Sequence, residues 1–340
     1  MAGKEIITYP DQDKVNQRQP ILNSSSSHAH EPVLIGVDWG TSSCRAYLIG
    51  GNGQVLAKVA DGQGILQVAN GAFAETLASI IGVWRQPGLP VVLSGMIGSR
   101  QGWFEAPYLQ VPAHFDQIRA GMVRHPEDPA IHLIPGLAQD REGEAPDVMR
   151  GEETQILGVL NDAVSHQLLV MPGTHSKWVL IENGVIVRFA TYMTGELFAV
   201  LKDHSILGRL MEIDDGEEGE TAFLQGLDAH RKLRGDLLQQ LFSVRTLGLF
   251  ERLSKAELPA YLSGLLIGHE IDEALANFRE SSKGLSVMII GASSLANRYA
   301  KAIAHAGLEP LSTDDDIVAR GHYGLARAVG LIAMAKGELG

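Results

Sequence analysis

Short apolar runs alternate with polar, Gly-containing turns from residue 33 onward. Residues 33–37 (VLIGV) lead into the polar segment 38–42 (DWGTS), and further apolar runs cover 44–49 and 55–59. The last two runs flank Asn52-Gly53, and an Asn-Gly pair between apolar runs is the strongest short-range signal for a β-hairpin. The pattern therefore predicts three consecutive strands joined by a polar turn and a tight hairpin.

The same three-strand unit occurs a second time, about half the chain further on. Residues 168–171 (LLVM) lead into the polar segment 172–176 (PGTHS), and two more apolar runs, 177–181 and 185–191, flank Asn183-Gly184. A repeat at half-chain spacing indicates two similar domains, since solenoid repeats have periods of about 20–50 residues. We predict an N-terminal domain over 32–160 and a C-terminal domain over 161–340.

Apolar residues elsewhere recur at the spacing of amphipathic helices. The predicted helices cover about 72–84, 258–279, 295–306 and 321–336, and the predicted buried strands cover 91–93 and 287–290. Strands that alternate with helices indicate an α/β fold. Residues 1–31 are polar and show neither the helical nor the strand spacing of apolar residues, so we predict a disordered N-terminal tail there.

Composition and charge limit the kinds of molecule that the chain is expected to bind. The 340 residues include 28 basic and 40 acidic ones, a formal net charge of −12, which argues against nucleic acid because its phosphates require a basic face. A nucleotide is not excluded, since a few backbone N–H groups and a metal can hold its phosphates. No apolar run approaches the roughly 18 residues of a membrane span. Cys44 is the single cysteine, which excludes a disulfide framework, and a cytoplasmic location is the simplest expectation.

Residues 38–42 combine groups that bind phosphate and metal. Asp38 stands at a strand end, where its carboxylate is placed to hold Mg²⁺ directly or through water. Gly40, Thr41 and Ser42 can present backbone N–H groups and two hydroxyls to phosphate oxygens. A plain turn is an equally good interpretation of this segment alone, because Asp and Gly are ordinary turn formers. The repeat at 173–176 favours the phosphate interpretation, with two hairpins that face each other across a cleft.

A third Gly-containing segment follows the predicted strand at 287–290. Gly291, Ala292 and Ser293 stand at the carboxyl end of that strand, where α/β folds collect their ligands. A glycine there lets a flat ring approach the backbone closely. A strand-to-helix turn with a Ser cap is the alternative.

The order of these segments, an Asp-x-Gly-Thr hairpin, a Gly-Glu helix start, a second Gly-Thr hairpin and Gly-Ala-Ser, resembles the actin-like ATPase and sugar-kinase superfamily. The chain is also similar to the 2-dehydro-3-deoxygalactonokinase family in five stretches: 35–46 (IGVDWGTSSCRA), 93–103 (LSGMIGSRQGW), 149–158 (MRGEETQILG), 171–178 (MPGTHSKW) and 193–198 (MTGELF). The resemblance extends from about residue 33 to the C-terminus. It implies two related actin-like domains, with mixed sheets, around an ATP cleft.

The resemblance implies an ATP-dependent carbohydrate kinase of galactonate catabolism. Such an enzyme transfers the γ-phosphoryl group to the 6-hydroxyl of 2-dehydro-3-deoxy-D-galactonate and gives the 6-phosphate. ATP and Mg²⁺ are the implied cofactors, and Asp38 is the implied metal ligand. The implied nucleotide contacts are Gly40, Thr41 and Ser42 on one side of the phosphates, Gly173, Thr174 and His175 on the other, and Gly291, Ala292 and Ser293 at adenine and ribose.

The catalytic base is expected at the helix start in 151–153 (GEE). Related sugar kinases carry a Gly-Asp pair there, whose carboxylate accepts the proton of the sugar hydroxyl, and a glutamate replaces it in this chain. Glu152 is the first choice and Glu153 the alternative. A carboxylate at a helix N-terminus is also stabilised by the helix dipole without any catalytic role.

The implied substrate has a carboxylate and several hydroxyls, so its site requires a cation and hydrogen-bonding groups. The segment 94–103 offers Arg100 for the carboxylate, Trp103 as an apolar wall, and Ser94 and Gly95 for close backbone approach. A surface loop with one exposed arginine is the alternative.

Thr194 and Glu196 open a helix after the second hairpin and are expected to contact sugar hydroxyls. Thr194 is also a good helix N-cap, which is a purely structural role. His175 beside the Gly-Thr pair is likewise open to a structural interpretation as a hydrogen-bonded residue.

Two other functions remain open at this stage. The chain could phosphorylate another sugar or sugar acid on the same fold, because one contact residue can switch specificity. It could instead be a non-catalytic actin-like nucleotide-binding protein, although 340 residues leave little room for the insertions that filaments require. The expected partners are small molecules, and the oligomeric state is open, with a homodimer as one option.

Overall fold

The computed structural model describes residues 5–7, 30–160, 166–212, 218–232, 236–278, 286–291, 294–313 and 316–332. Contacts between Cα atoms divide the chain into two compact units, one formed by Met1–Ala163 together with Asp315–Gly340 and the other by Val164–Asp314. Among the described helices, none is long and apolar enough to cross a membrane.

The helices and strands are numbered along the chain. The helices are α1 (Phe73–Ile81), α2 (Phe115–Ala120), α3 (Glu152–Val159), α4 (Thr194–His204), α5 (Glu218–Lys232), α6 (Leu237–Leu249), α7 (Leu258–Asn277), α8 (Ser294–His305) and α9 (Ile317–Ala328). The strands are β1 (Glu5–Ile7), β2 (Pro32–Trp39), β3 (Cys44–Gly50), β4 (Val55–Asp61), β5 (Val91–Ser94), β6 (Tyr108–Gln110), β7 (Ala113–His114), β8 (Val123–Arg124), β9 (Ile131–Leu133), β10 (Gly136–Gln139), β11 (Asp147–Met149), β12 (His166–Met171), β13 (Ser176–Glu182), β14 (Val185–Tyr192), β15 (Val287–Ile289) and β16 (Pro310–Ser312).

The main sheet of the first unit is mixed and has the strand order β1-β4-β3-β2-β5-β9-β8. Strands β2, β3 and β4 are antiparallel neighbours, whereas β5 runs parallel to β2 and β9 runs parallel to β5. Buried apolar residues from β2 and β5 pack with those of α1 in one core, including the fully buried Trp39. A smaller sheet of the same unit has the order β11-β10-β6 and leads directly into α3.

The second unit repeats this strand arrangement. Strands β12, β13 and β14 are antiparallel neighbours, β15 runs parallel to β12, and β16 runs parallel to β15. The shared order confirms the predicted duplication and the α/β class with mixed sheets. The predicted hairpin at Asn183-Gly184 is also confirmed, because both residues have positive φ, 50° and 75°, as a type I′ turn requires.

Helix α9 belongs to the first unit because it packs tightly on α3. A Cβ atom added at Gly158 would lie 2.0 Å from the carbonyl oxygen of Ile317, and one added at Gly321 would lie 2.0 Å from that of Thr154. The contacts thus assign the end of the chain to the first unit, whereas the sequence division assigns 161–340 to one domain. The division into functional domains stays a prediction.

The structure differs from the predicted elements in several places, and residues 1–4 and 8–29 of the predicted tail lie outside the described residues. Strand β1 lies inside the segment predicted as a tail and pairs antiparallel with β4, because an edge strand offers unpaired backbone groups to any extended segment. Helices α2, α5 and α6 and strands β6 to β11 were not predicted, and the last helix, α9, covers Ile317–Ala328, whereas the prediction was about 321–336. The outer positions of α6 are apolar, which obscures the amphipathic period on which such predictions depend.

Candidate active site

Asp38 lies next to the end of β2, beside two neighbouring strands. It is in register with Arg45 on β3 and with Ser94 on β5. Its side chain is 13% exposed, and one of its carboxylate oxygens is 3.5 Å from an Nη atom of Arg45. Burial raises the pKa of Asp38, the Arg45 charge lowers it, and the Glu152 charge raises it. The strand end thus holds a nearly buried carboxylate that lies close to a second carboxylate.

Two glycines with positive φ bring the backbone close to Asp38. Gly95 has a φ of 89° and Gly151 a φ of 112°. A Cβ atom at Gly95 would lie 2.7 Å from the carbonyl oxygen of Trp39 and 3.3 Å from Oδ1 of Asp38, and a Cβ at Gly151 would lie 3.1 Å from Cα of Gly95. The end of β2, the turn after β5 and the start of α3 therefore converge at one point.

The two glutamates at the start of α3 have different surroundings. Glu152 is half-buried and its Oε2 accepts a hydrogen bond of 3.0 Å from the backbone N–H of Arg150. Glu153 is fully buried, and its Oε2 accepts a hydrogen bond of 2.7 Å from the backbone N–H of Gly151. Burial, followed by the Glu152 charge, raises the pKa of Glu153 to about 8. The predicted alternative base is thus enclosed in the protein, whereas Glu152 retains access to solvent.

Arg150 is a buried cation beside these carboxylates, and no role for it was predicted from the sequence. It is 7% exposed, its Nη2 donates to the carbonyl oxygen of Ala106 at 2.8 Å, and its guanidinium lies 4.2 Å from the ring centre of Tyr108. Its Nε and Nη1 atoms are buried without a hydrogen-bond partner among the described residues. The sequence feature that could have identified Arg150 is its position directly before Gly151-Glu152.

The predicted substrate residue Ser94 makes internal contacts. It is 1% exposed, donates a long 3.4 Å hydrogen bond to the carbonyl oxygen of Val37, and shares a hydrogen bond of 3.0 Å with Nε2 of His322 on α9. His322 is fully buried, and burial lowers its pKa to about 3, so the ring is neutral. The His322 ring fits only because the facing residue is Gly36. A Cβ atom added at Gly36 would lie 2.5 Å from Nδ1 of His322. His322 was not anticipated from the sequence.

The other predicted substrate residues of the first unit differ in exposure. The side chain of Arg100 is 88% exposed, and its Nε donates to Glu105 at 3.0 Å. Trp103 is half-buried, with its ring centre 4.4 Å from that of His125. The same loop therefore carries an exposed cation and a half-buried aromatic ring.

Backbone hydrogen bonds from residues 65 and 66 hold the turn formed by Gly40, Thr41 and Ser42. The carbonyl oxygen of Gly40 accepts from the N–H of Ile65 at 3.0 Å, and that of Thr41 accepts from the N–H of Leu66 at 3.2 Å. Thr41 and Ser42 are exposed, so their hydroxyls can reach a ligand. This arrangement fits a phosphate-binding turn and equally a well-anchored structural turn.

The second hairpin turn packs against the start of α4, within the second unit. The N–H of Glu196 donates to the carbonyl oxygen of Thr174 at 2.9 Å, and the His175 ring contacts the Glu196 carboxylate. A Cβ atom at Gly195 would lie 2.3 Å from the carbonyl oxygen of Gly173. The predicted nucleotide residues Gly173, Thr174 and His175 are therefore brought together with Thr194 and Glu196, which were predicted to bind sugar.

A cavity of about 280 Å³ opens beside this turn. Its polar lining includes Gly173, Thr174, Thr194, Ser263 and Arg298, and its apolar lining includes Phe198, Leu266, Ile267 and Leu295. Leu295 and Arg298 belong to α8, the helix that follows the predicted adenosine segment. Gly291 has a φ of 126°, and its N–H donates to Oγ1 of Thr313 at 3.4 Å. Ala292 and Ser293 lie outside the described residues.

A buried carboxylate supports the second hairpin from inside the unit. Glu270 on α7 is 3% exposed and accepts hydrogen bonds from Nε1 of Trp178 at 2.8 Å and from the hydroxyl of Tyr299 at 2.5 Å. The side chain of Thr194 also hydrogen-bonds to it. Burial raises the pKa of Glu270, and these hydrogen bonds lower it. The network joins α7, α8, β13 and the start of α4, and the sequence analysis missed Glu270.

A preformed metal cage is absent from the described residues, which contain no group of three or more His, Cys, Asp or Glu side chains suited to a metal ion. A metal at Asp38 would therefore take most of its ligands from water and from the substrates, as Mg²⁺ does in many phosphate-transfer sites.

Comparison with known proteins gives consistent matches. A family model described as 2-keto-3-deoxy-galactonokinase matches residues 38–325. The 2-dehydro-3-deoxygalactonokinase of Escherichia coli (strain K12) is 35% identical over 283 residues, 83% of this chain and 93% of that protein. A Rhizobium meliloti (strain 1021) protein, provisionally named 2-dehydro-3-deoxygalactonokinase DgoK1, is 40% identical over 299 residues, 86% of this chain and 96% of that protein.

A solved structure agrees with these matches. The crystal structure of a Sinorhizobium meliloti protein, provisionally described as a 2-dehydro-3-deoxygalactonokinase, has a TM-score of 0.79 and 38% sequence identity, and it covers 87% of this chain and 99% of that protein. Because the family model spans most of the chain and two relatives exceed 30% identity over most of their length, this chain belongs to the 2-keto-3-deoxy-galactonokinase family.

Proposed function

We propose that the chain transfers the γ-phosphoryl group of ATP to the 6-hydroxyl of 2-dehydro-3-deoxy-D-galactonate, in the cytoplasm and as a step of galactonate catabolism. Membership of a kinase family implies a sugar acid and ATP as substrates. The observation that carries the proposal is the convergence of Asp38, Gly95 and the Gly151-Glu152 helix start in the first unit. This point supplies two carboxylates, one suited to hold a metal ion and one to orient the attacking hydroxyl in phosphoryl transfer.

Glu152 is proposed as the group that accepts the proton of the sugar hydroxyl. Its Oε2 is oriented by the backbone N–H of Arg150, and its half-buried position allows contact with a ligand. Glu153 is enclosed and bonded to the Gly151 N–H, which favours a structural role for it. As the hydroxyl oxygen bonds to phosphorus, the bond to ADP breaks and the proton passes to the Glu152 carboxylate. In a loose transition state the base mainly orients the hydroxyl.

Asp38 is proposed to hold Mg²⁺. The residues present fit this ion, because Mg²⁺ in phosphate-transfer sites is bound through one or two carboxylates together with substrate phosphates. The burial that raises the pKa of Asp38 penalises its charge, and a nearby cation would relieve this penalty. When bound, the ion neutralises charge on the transferring phosphoryl group. Thr41 and Ser42 are the exposed hydroxyls proposed to contact phosphate oxygens on the same side.

Arg100 and Trp103 are proposed to contact the sugar acid. Arg100 has an exposed guanidinium whose Nε bonds to Glu105, and a substrate carboxylate can compete for this cation. Bidentate hydrogen bonds make arginine the preferred side chain for recognising a carboxylate. Gly95 is buried against the carbonyl group of Trp39, and Ser94 is hydrogen-bonded to Val37 and His322, so we propose that both support the site from the inside instead of contacting the substrate.

The second unit is proposed to bind the nucleotide. The cavity beside Gly173 and Thr174 has apolar walls for an adenine ring and a few polar groups, the usual composition of a small-molecule site. Gly291, Ala292 and Ser293 directly precede α8, which lines this cavity with Leu295 and Arg298. Glu196 contacts the second hairpin, and Thr194 at the start of the same helix lines the cavity beside it, so we propose that they shape the phosphate-binding turn.

An acceptor panel tests the proposed reaction. Purified protein with ATP and Mg²⁺ is given 2-dehydro-3-deoxygalactonate, its gluconate-derived epimer and plain hexoses, and ADP formation is measured. Turnover confined to the galactonate-derived acid, with a 6-phosphate product identified by ³¹P NMR, supports the proposal. Turnover confined to another acceptor overturns the substrate and keeps the kinase. ADP release that ignores every acceptor overturns both and favours a nucleotide-binding protein of another kind.

A further inference from the structure

The side chain of Arg150 contacts both ends of the loop that is proposed to bind the sugar acid. We define the substrate loop as residues 98–106. Its ends are joined by a hydrogen bond of 2.9 Å, which the N–H of Ala106 donates to the carbonyl oxygen of Gly98. Nη2 of Arg150 donates to the carbonyl oxygen of Ala106 at 2.8 Å, and a Cβ atom added at Gly98 would lie 3.1 Å from Nη1. One guanidinium therefore packs against the closed base of the loop.

The backbone of the same residue contacts the proposed base. The N–H of Arg150 donates to Oε2 of Glu152 at 3.0 Å, and the next N–H, that of Gly151, donates to Oε2 of Glu153 at 2.7 Å. Gly151 stands directly before α3 and has a φ of 112°, a conformation that favours glycine. Arg150 thus contacts the substrate loop through its side chain and orients the Glu152 carboxylate through its backbone.

The guanidinium is enclosed on several sides. Arg150 is 7% exposed, and its Nε and Nη1 atoms are buried. The ring of Tyr108 covers the guanidinium, with its centre 4.2 Å away, and Gly98 packs against Nη1. Any role of Arg150 in the reaction is therefore exerted through the groups that it holds in place.

The charge of Arg150 is poorly compensated by hydrogen bonds. Of its three side-chain nitrogens, only Nη2 has a hydrogen-bond acceptor among the described residues. Desolvation of a charge with so few hydrogen bonds costs free energy, and buried charges can often be replaced by apolar residues without loss of stability. The charge does act on the start of α3: burial and the Glu152 charge raise the pKa of Glu153, whereas backbone hydrogen bonds and the Arg150 charge lower it. The guanidinium is thus expected to matter more for the site than for folding.

We infer that Arg150 is a positioning residue that couples the substrate loop to the proposed base. The inference rests on the proposed function, because it takes the sugar acid to be held by the loop and deprotonated by Glu152. A loop and a helix start that are joined through one residue keep the acceptor hydroxyl and the carboxylate in a fixed relation, and a displacement of about 1 Å between reacting groups costs about 100-fold in rate. Lysine is no substitute, since its ammonium lacks the planar group that packs on the Tyr108 ring.

Steady-state kinetics of two variants tests this role. Arg150→Met removes the charge at similar length, and Arg150→Lys keeps the charge without the planar group. With ATP, Mg²⁺ and 2-dehydro-3-deoxygalactonate, both should lower kcat by about 30-fold to 100-fold and leave the KM for ATP within about twofold. Arg119→Met is the matched control and should keep the original kcat, because Arg119 also donates to a carbonyl oxygen of the first unit, that of Ala328 at 3.2 Å. A kcat of Arg150→Met within about twofold of the original, or full activity of Arg150→Lys, overturns the coupling.

Hydrogen exchange of the full chain tests the coupling without any substrate and so separates it from the proposed function. In Arg150→Met, mass spectrometry should show at least about fivefold faster exchange in peptides from both 98–106 and 150–155. Unchanged exchange in the buried strand β2 would exclude global unfolding as the cause, and Arg119→Met should leave both segments unchanged. If the original chain turns over no acceptor, the proposed function fails and the exchange result still decides the coupling. Unchanged exchange in either segment of Arg150→Met contradicts the coupling even where the original chain is an active kinase.

Discussion

Glu152 and Glu153 are adjacent carboxylates whose different surroundings suit different tasks. Glu152 is half-buried near Asp38, whereas Glu153 is fully buried and bonded to the backbone of Gly151. Together they rigidify the helix start, because their oxygens accept from the N–H groups of Arg150 and Gly151, the two residues before α3. Glu153 thus fixes the backbone at the start of the helix that carries Glu152.

The buried state of Glu153 predicts a pH dependence of stability. Its pKa in the folded protein is raised to about 8 from an ordinary value of 4.5, so the folded state retains a proton that the unfolded state loses between these values. The free energy of unfolding should therefore fall as the pH rises from about 5 to about 8, by up to a few kcal/mol. Urea denaturation across this range measures the effect.

Glu153→Gln isolates this contribution. Glutamine keeps the size of the side chain and carries no titrating group, so the difference in unfolding free energy between the variant and the original chain should change with pH in this window. Glu142→Gln, at an exposed position of the same unit, is the matched control and should give a constant difference. Parallel pH profiles for Glu153→Gln and the original chain would show that Glu153 is ionised in the folded protein.

At the residue scale, the sequence predicted groups that stand at strand ends and helix starts. Asp38 was identified because the end of a strand is recognisable from the apolar pattern, and Glu152 because the resemblance to sugar kinases implied a carboxylate at this helix start. Arg150, His322 and Glu270 were missed because their significance depends on burial, which is created by elements distant in the sequence. His322, for example, meets Ser94 only because α9 packs on the first unit.

The contact between α3 and α9 depends on glycine at the element scale. We predict that Gly321→Ala destabilises the chain by about 2 kcal/mol or more, because the new Cβ would lie 2.0 Å from the carbonyl oxygen of Thr154 and overpacked contacts cost this much. Gly324→Ala on the same helix has no neighbouring atom within 4 Å and should stabilise the chain by up to about 1 kcal/mol. Chemical denaturation of both variants compares them. Equal effects would show that the close approach of the two helices is not needed.

The start of α4 offers a test of the second hairpin. Gly195→Ala would place its Cβ 2.3 Å from the carbonyl oxygen of Gly173, so the turn must move. If this turn holds ATP phosphates, the KM for ATP should rise about tenfold or more. Gly219→Ala, also at the second position of a helix in this unit, would meet only the Cβ of Ala260 at 3.4 Å and serves as the control. An unchanged KM for ATP in Gly195→Ala would remove the turn from the nucleotide site.

At the scale of elements, the three-strand units were predictable, because Asn-Gly turns and alternating apolar runs are local signals. The helices α1, α7 and α8 were predicted within a few residues of their observed bounds. Helix α6 was not, because its outward positions are apolar as well and no single amphipathic face stands out.

At the scale of the whole molecule, the duplication was visible in the sequence and is repeated in the strand order of both units. The return of the last helix to the first unit was not resolved by the predicted boundary at residue 160, since it depends on the glycine contacts between α3 and α9. Family membership follows from the matches, whereas the assignment of single residues to the reaction depends on the geometry around Asp38 and Glu152.

Steady-state kinetics of one variant pair tests most directly whether this chain is a sugar-acid kinase with Glu152 as its base. With ATP, Mg²⁺ and 2-dehydro-3-deoxygalactonate, Glu152→Gln should lower kcat by about 100-fold to 10,000-fold, the usual contribution of a positioned base, with little change in the KM for ATP. Glu142→Gln should retain the original kcat. Turnover of Glu152→Gln within a few-fold of the original chain would contradict the role of Glu152, and absence of turnover in the original chain would contradict the proposed reaction itself.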